Sequence, residues 1–262
     1  MRKWVSALAG ASAVLITAGC NNPLDVQNKN NPDVERAFST PASVEQIIGT
    51  TFQLIYQAHQ NTNTSIQPQL FNMAFESYAS VANFGMATRA ALPRQPILNY
   101  RGNQTANENY RDFANLTRAV RLAASGVANL DRLVKAGRTT ATAARDSRDR
   151  MFSLFTNGVG LGELALAYDS AAIVTPATPD KEVPPLSAAK DVMVAALALL
   201  DSAQAEAAKA TGQTLPSTWI NGLGMTTADF VRFVRSYRAR LRAGCGRLEP
   251  GRARKGSSCP TA

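Results

Sequence analysis

His59 is the single histidine of this sequence, and it limits how nucleophilic catalysis could be built. Any Ser-His-Asp or Cys-His arrangement must use it. A G-x-S-x-G nucleophile elbow, which would present a serine to such a base, is absent from the chain. His59 therefore reads as an exposed histidine at a helix end. Glu163, Asp169, Asp180 and Glu182 are the residue type that hydrolyses glycosides when two carboxyls sit roughly 5–10 Å apart; sequence spacing does not bring any two of them together. Gly158-Val159-Gly160-Leu161-Gly162-Glu163 begins like a phosphate-binding loop. The dinucleotide fingerprint needs glycine where Glu163 stands, no strand pattern precedes it, and no Lys-Ser/Thr follows. Small residues for close helix packing explain it better. The 3 cysteines, Cys20, Cys245 and Cys259, match neither a disulfide framework nor a zinc-ligand spacing. No cofactor or metal is expected, and no enzyme. Trp219, beside Asn221 and Gly222, and Tyr100, between Asn99 and Arg101, are aromatic side chains that could stack on a sugar ring; a loop anchor tucked into the core is the competing reading for each.

The cysteine with a definite chemistry is Cys20. Met1-Arg2-Lys3 is a short positive start, and Trp4 to Ala18 is an apolar run of 15 residues. As a helix it spans about 22 Å, short of the roughly 30 Å hydrocarbon core, so it reads as a signal peptide. Thr17-Ala18-Gly19-Cys20 resembles the bacterial lipobox, with threonine where leucine is usual. Acylation of Cys20 would make it the mature N-terminus and hold the chain on a membrane, since each buried CH₂ adds about 0.8 kcal/mol. The alternative is an uncleaved signal, or a secreted chain with a free thiol. Residues 1–19 are then the lipoprotein signal peptide and 20–38 a tether, rich in Asn and broken by Pro23 and Pro32.

The formal charge of +9 resembles a nucleic-acid signature until it is located. Arg2 and Lys3 lie in the leader. The stretch from Arg238 onward carries 7 Lys/Arg against Glu249 alone. Residues 20–237 keep a net charge of only +1, so no basic stripe runs along the body and nucleic-acid binding is not expected.

Apolar residues make up 45% of the chain, enough for a sizeable core. Apolar positions recur at steps of three and four in six segments, and none alternates like a strand. The first helix starts after a Ser39/Thr40 cap with Pro41 at its first position and ends at His59. The second is expected over Gln69 to Ala91, the third over Asn107 to Ala136 with Gly137 as a C-terminal cap, and the fourth over Thr140 to Ala172. A loop with four prolines, Thr175 to Pro185, leads to a fifth helix from Ser187. The sixth begins at Thr226/Thr227. Long helices joined by short connections predict antiparallel neighbours and an all-α fold of tetratricopeptide-like helix pairs, with any repeat degenerate. The helical domain spans 39–243. Residues 244–262 lose periodicity and read as a disordered or non-native tail, such as a frameshift would leave.

In order along the chain, several phrases resemble the SusD/RagB family of outer-membrane nutrient-uptake lipoproteins. They are Cys20-Asn-Asn-Pro-Leu-Asp-Val-Gln; Asn109-Tyr110-Arg111-Asp112-Phe113-Ala114-Asn115-Leu116 with Ala128-Asn129-Leu130; Val192 to Ala203 followed by Leu215-Pro216; and Phe230-Val231-Arg232 with Ser236 to Leu241. The likeness covers roughly residues 15–243. It departs where Arg145 to Tyr168 lacks a following Pro-Leu phrase, and the family's C-terminal half is missing. The resemblance implies a non-catalytic, lipid-anchored, surface-exposed protein of the outer membrane. It would bind an oligosaccharide or other oligomeric nutrient beside a SusC-like TonB-dependent transporter. A helical-repeat envelope scaffold lipoprotein without a small ligand is the alternative.

Overall fold

The computed structural model describes residues 34–60, 71, 74–78, 90–92 and 107–245. The chain divides into two units, Met1–Ala37 and Phe38–Ala262. The described part of the first is one helical turn, α1 (Val34–Ala37), which falls within the expected tether.

In the second unit, local chemistry sets the helix ends. Helix α2 (Pro41–Gln60) starts where Thr40 Oγ1 accepts the Ser43 amide at 3.1 Å and proline takes the first helical position. Helix α3 (Asn107–Lys135) ends at Gly137, whose φ of +72° is the left-handed conformation glycine adopts freely. The Gly137 amide donates to Val134 O and the Arg138 amide to Leu133 O, both at 2.9 Å, which closes a Schellman motif. Helix α4 (Ala143–Ala167) is capped by Thr142 Oγ1 accepting from the Arg145 amide at 3.2 Å. Strands β1 (Ser170–Ala172) and β2 (Leu186–Ala188) pair antiparallel with Ala171 opposite Ser187, closing the proline loop between them. Helix α5 (Ala189–Ala207) follows. A second small antiparallel pair, β3 (Thr214–Leu215) with β4 (Met225–Thr226), encloses a 3₁₀ turn, Ser217–Ile220. Helix α6 (Thr227–Cys245) begins where Thr226 Oγ1 accepts the Asp229 amide at 3.2 Å. The described chain is thus mostly helical, as expected.

Side-chain contacts fix the helix directions. Ser153 donates to Ala123 O at 2.7 Å and Arg150 to Asp131, so α3 and α4 are antiparallel. Arg150 also reaches Glu206, and Gly158 lies against Ala196 and Leu200, so α5 runs antiparallel to α4. Arg238 to Asp201 at 2.7 Å and Thr227 to Ala210 O set α6 antiparallel to α5. Thr51 to Thr156 at 3.0 Å and His59 to Glu163 lay α2 parallel to α4, and Phe152 to Phe230 with Glu163 to Arg240 do the same for α6. Helix α4 touches α2, α3, α5 and α6, which explains why it is buried around so much of its circumference.

Three glycines let α4 take neighbours on three sides. A Cβ at Gly158 would stand 2.9 Å from the Ala196 carbonyl of α5, and one at Gly160 2.7 Å from Val120 Cγ2 of α3. One at Gly162 would collide with Leu241 of α6. The G-x-G-x-G run lies in the middle of a helix, where it serves packing. The core around it holds fully buried Met151, Phe152, Phe155, Leu161, Leu164, Phe230 and Met193. Each such side chain removed from water contributes about 1.5–3 kcal/mol.

The second expected helix falls largely outside the described residues. What is described of it breaks the helix: Ala74–Tyr78 form turn and bend, with Phe75 at φ +62°. Amides of Glu76 and Ser77 both donate to Phe71 O, a helix-terminating pattern. Phe75 and Tyr78, whose spacing would put them on the apolar face of such a helix, are 67% and 88% exposed. Helix α4 starts three residues later and ends five earlier than its periodicity suggested. Thr140 instead donates through N and Oγ1 to Asp146 Oδ1, and residues 170–172 enter β1.

Candidate functional site along the central helix

Helix α4 begins Ala143-Ala144-Arg145-Asp146-Ser147-Arg148-Asp149-Arg150, a charge run that ordinarily marks a solvated face. Here Asp146, Arg148 and Asp149 are buried. Buried charge is tolerated only when it is paired, and the pairing organises the site. Arg145 forks onto Glu45 of α2, with Nη2 2.8 Å from each carboxylate oxygen. Arg148 also donates to Glu45, and to Asp149 Oδ1 from Nε at 2.9 Å and Nη2 at 2.6 Å. Glu45 raises the Arg145 guanidinium above its ordinary value, chiefly through that hydrogen bond. Burial pushes the Asp149 carboxyl up to about 7, with Arg148 pulling the other way.

Trp219 belongs to this end of α4. The 3₁₀ turn places its ring 4.8 Å from Phe152 and under Arg148, whose Cζ is 4.9 Å from the ring centroid. The ring edge lies against Gly49 of α2, where a Cβ would collide with it. At 7% exposure the indole fills the core, so its faces meet protein rather than open solvent.

At the other end of α4, Glu163 is 2% exposed and lies against a histidine and an arginine. His59 Nε2 approaches at 3.4 Å from the end of α2, and Arg240 Nη2 at 3.2 Å from α6. His59 is therefore partly buried against a carboxylate, at 16% side-chain exposure, which corrects the expectation of an exposed histidine. Tyr237 packs beside them, its hydroxyl raised above the ordinary phenol value by burial and by Glu163, with Arg240 opposing. Between the two charged ends runs an aromatic seam. Phe52 of α2 stacks 6.0 Å from Phe155 and 6.2 Å from Phe233, and Tyr237 meets both Phe155 and Phe233 edge-on.

Of the other carboxylates named from sequence, Asp180 and Asp169 have hydroxyl partners, and Glu182 is held through its backbone carbonyl. Asp180 accepts from Ser125 Oγ at 2.6 Å, while Arg121 of α3 donates to the carbonyls of Pro179 and Glu182. These bonds strap the proline loop to α3. Asp169 accepts from Ser170 Oγ at 3.2 Å. Cys20 and Tyr100 lie outside the described residues. Among the described residues no three His, Cys, Asp or Glu side chains group as metal ligands, and no helix is long and apolar enough to cross a membrane.

Comparison with family models, curated proteins and solved structures finds no match to this chain. The reading of the site therefore rests on its own chemistry. Its arginines are paired with carboxylates and its aromatic groups are packed on one another, an arrangement that makes this part of the helical array rigid.

The sequence reading missed Glu45, Arg145, Arg148, Asp149 and Arg240. One signal was present for Arg145, Arg148 and Asp149: the charge run Arg145–Arg150 opens a helix that is largely apolar further on. Such a helix cannot keep its first turns in water without leaving the core, so its charges had to find partners.

Proposed function

We propose that this chain is a SusD-like, lipid-anchored protein of the outer-membrane surface. It binds an oligosaccharide or another oligomeric nutrient and passes it to a TonB-dependent transporter. The observation that carries the reading is the agreement of family-like phrases with an alternating helical array. Asn109–Leu116 and Ala128–Leu130 lie on α3, Val192–Ala203 on α5 and Phe230–Leu241 on α6. Helices α2/α3 and α4/α5 are then read as successive tetratricopeptide-like pairs, with α6 opening a third. In such arrays the first helix of each pair packs on the first helix of the next, which matches the parallel contacts of α4 with α2 and α6. A non-catalytic role fits a site whose His59 is turned to Glu163 and whose carboxylates are held by arginines and hydroxyls.

Anchoring comes from Cys20 in this reading, with the segment up to residue 38 as the spacer. Isothermal calorimetry of the full chain against a panel of oligosaccharides and oligopeptides tests the ligand claim. Saturable heat with one class of oligomer supports nutrient capture. Silence across the whole panel, with the chain folded, overturns it in favour of an envelope scaffold.

A further inference from the structure

Asp149 is 0% exposed, yet only one of its oxygens is engaged. Oδ1 receives both donors of Arg148, whereas Oδ2 has no hydrogen-bond partner. A buried acceptor left unmade is costly, more so when it shares a negative charge. A proton on the carboxyl removes the charge and leaves a neutral O–H in its place. The same Arg148 donates across to Glu45 of α2 and lies over the Trp219 ring of the 3₁₀ turn. It is thus one side chain of α4 that touches both α2 and that turn.

We propose that proton binding at Asp149 sets the grip of Arg148 on α2 and on the Trp219 turn, so that this end of the helical array works as a pH-sensitive clamp. With Asp149 neutral, the Arg148 guanidinium is left to Glu45 and to the indole face. With Asp149 ionised, it is divided between two carboxylates while a bare Oδ2 stays in the core. The charged groups that bear on Asp149 are Arg148 and Arg145 of α4 and Glu45 of α2. On α3, Arg132 is turned to Phe38 O and Asn129, and Asp131 to Arg150. The residues of the 3₁₀ turn, Ser217 to Ile220, carry no titratable side chain.

The direction follows from linkage. Burial holds the folded-state carboxyl at about 7, against about 3.9 for an unfolded aspartate. The group's contribution is complete below about pH 4 and is lost as pH rises through about 7. The clamp is therefore tighter in mild acid than in mild alkali.

The test uses the full chain carrying Trp4→Phe, which leaves Trp219 as its only indole, and His59→Gln, which removes its only imidazole. Trp219 emission and the urea midpoint are followed from about pH 5 to about pH 8. The expected result is one emission transition centred near 7 and a urea midpoint that falls from about pH 5 and levels off above about pH 7, with Asp149→Asn flattening both. A flat emission curve, or one unchanged by Asp149→Asn, overturns the proposal. Should Asp149→Asn not fold, carbon-13 titration of the aspartate carboxyls in the parent protein decides. One carboxyl moving near pH 7 supports the clamp; completion of every carboxyl titration below about pH 5 refutes it.

Discussion

Replacing Gly158 by alanine tests how closely α4 and α5 approach. The added methyl would lie 2.9 Å from the Ala196 carbonyl oxygen and 3.0 and 3.1 Å from Leu200 Cγ and Cδ2. The first of these is backbone, so rotation of a side chain cannot relieve it; α5 must move. Overpacking of this kind costs about 1–3 kcal/mol. Alanine returns up to about 1 kcal/mol as the better helix former. Because the nearest clash is with backbone, the cost falls at the upper end, about 2–3 kcal/mol, and the net loss of about 1–2 kcal/mol lowers a urea midpoint by roughly 0.5–1 M at an ordinary slope. Urea unfolding followed by far-ultraviolet circular dichroism reads it, with the slope unchanged. Gly162→Ala supplies the contrast, because the nearest atoms its methyl would meet are side-chain atoms of the fully buried Leu241. Relief there requires the leucine to repack, at about 1–3 kcal/mol, rather than backbone to move. A Gly158→Ala chain as stable as the parent, or more stable, would refute the close approach of these two helices and with it the packing role of the glycine run.

Trp219→Ala should cost about 3–5 kcal/mol, because the indole is a buried aromatic between Phe152, Gly49 and Arg148. A ligand platform would instead lose affinity and leave stability untouched, so chemical unfolding and calorimetry together separate the two. Thr142→Ala removes the cap on the Arg145 amide and should cost about 1 kcal/mol, seen as a lower thermal midpoint.

Helices α2, α3 and α6 were legible because each carries a strong apolar stripe and a readable end, Thr40-Pro41, Gly137 and Thr226/Thr227 in turn, and α5 by its stripe alone. The packing role of the glycines was also legible, since Glu163 stands where a phosphate loop needs glycine. The two small sheets were not. Strands of two or three residues give no alternation to detect, and their pairing depends on tertiary placement of the loops. The break at Phe75 was missed because residues Leu70 to Tyr78 keep a helical stripe while the backbone takes a positive φ. The charged ends of the site were missed for a different reason. Glu45 is 100 residues or more from Arg145 and Arg148, and His59 is about as far from Glu163. Such pairs exist only once α2 lies alongside α4, and no local spacing announces that. Trp219 had two readings at the sequence level; a glycine at position 49 is what admits the ring between two helices.

The account depends most on Cys20. Mass spectrometry of the chain extracted from outer membranes, with Cys20→Ser fractionated beside it, addresses this directly. The account predicts a mature N-terminal peptide that begins at Cys20 and carries diacylglycerol and acyl mass, and a variant that leaves the membrane fraction. An unmodified Cys20 peptide, or a Cys20→Ser chain retained in the membrane like the parent, would contradict it.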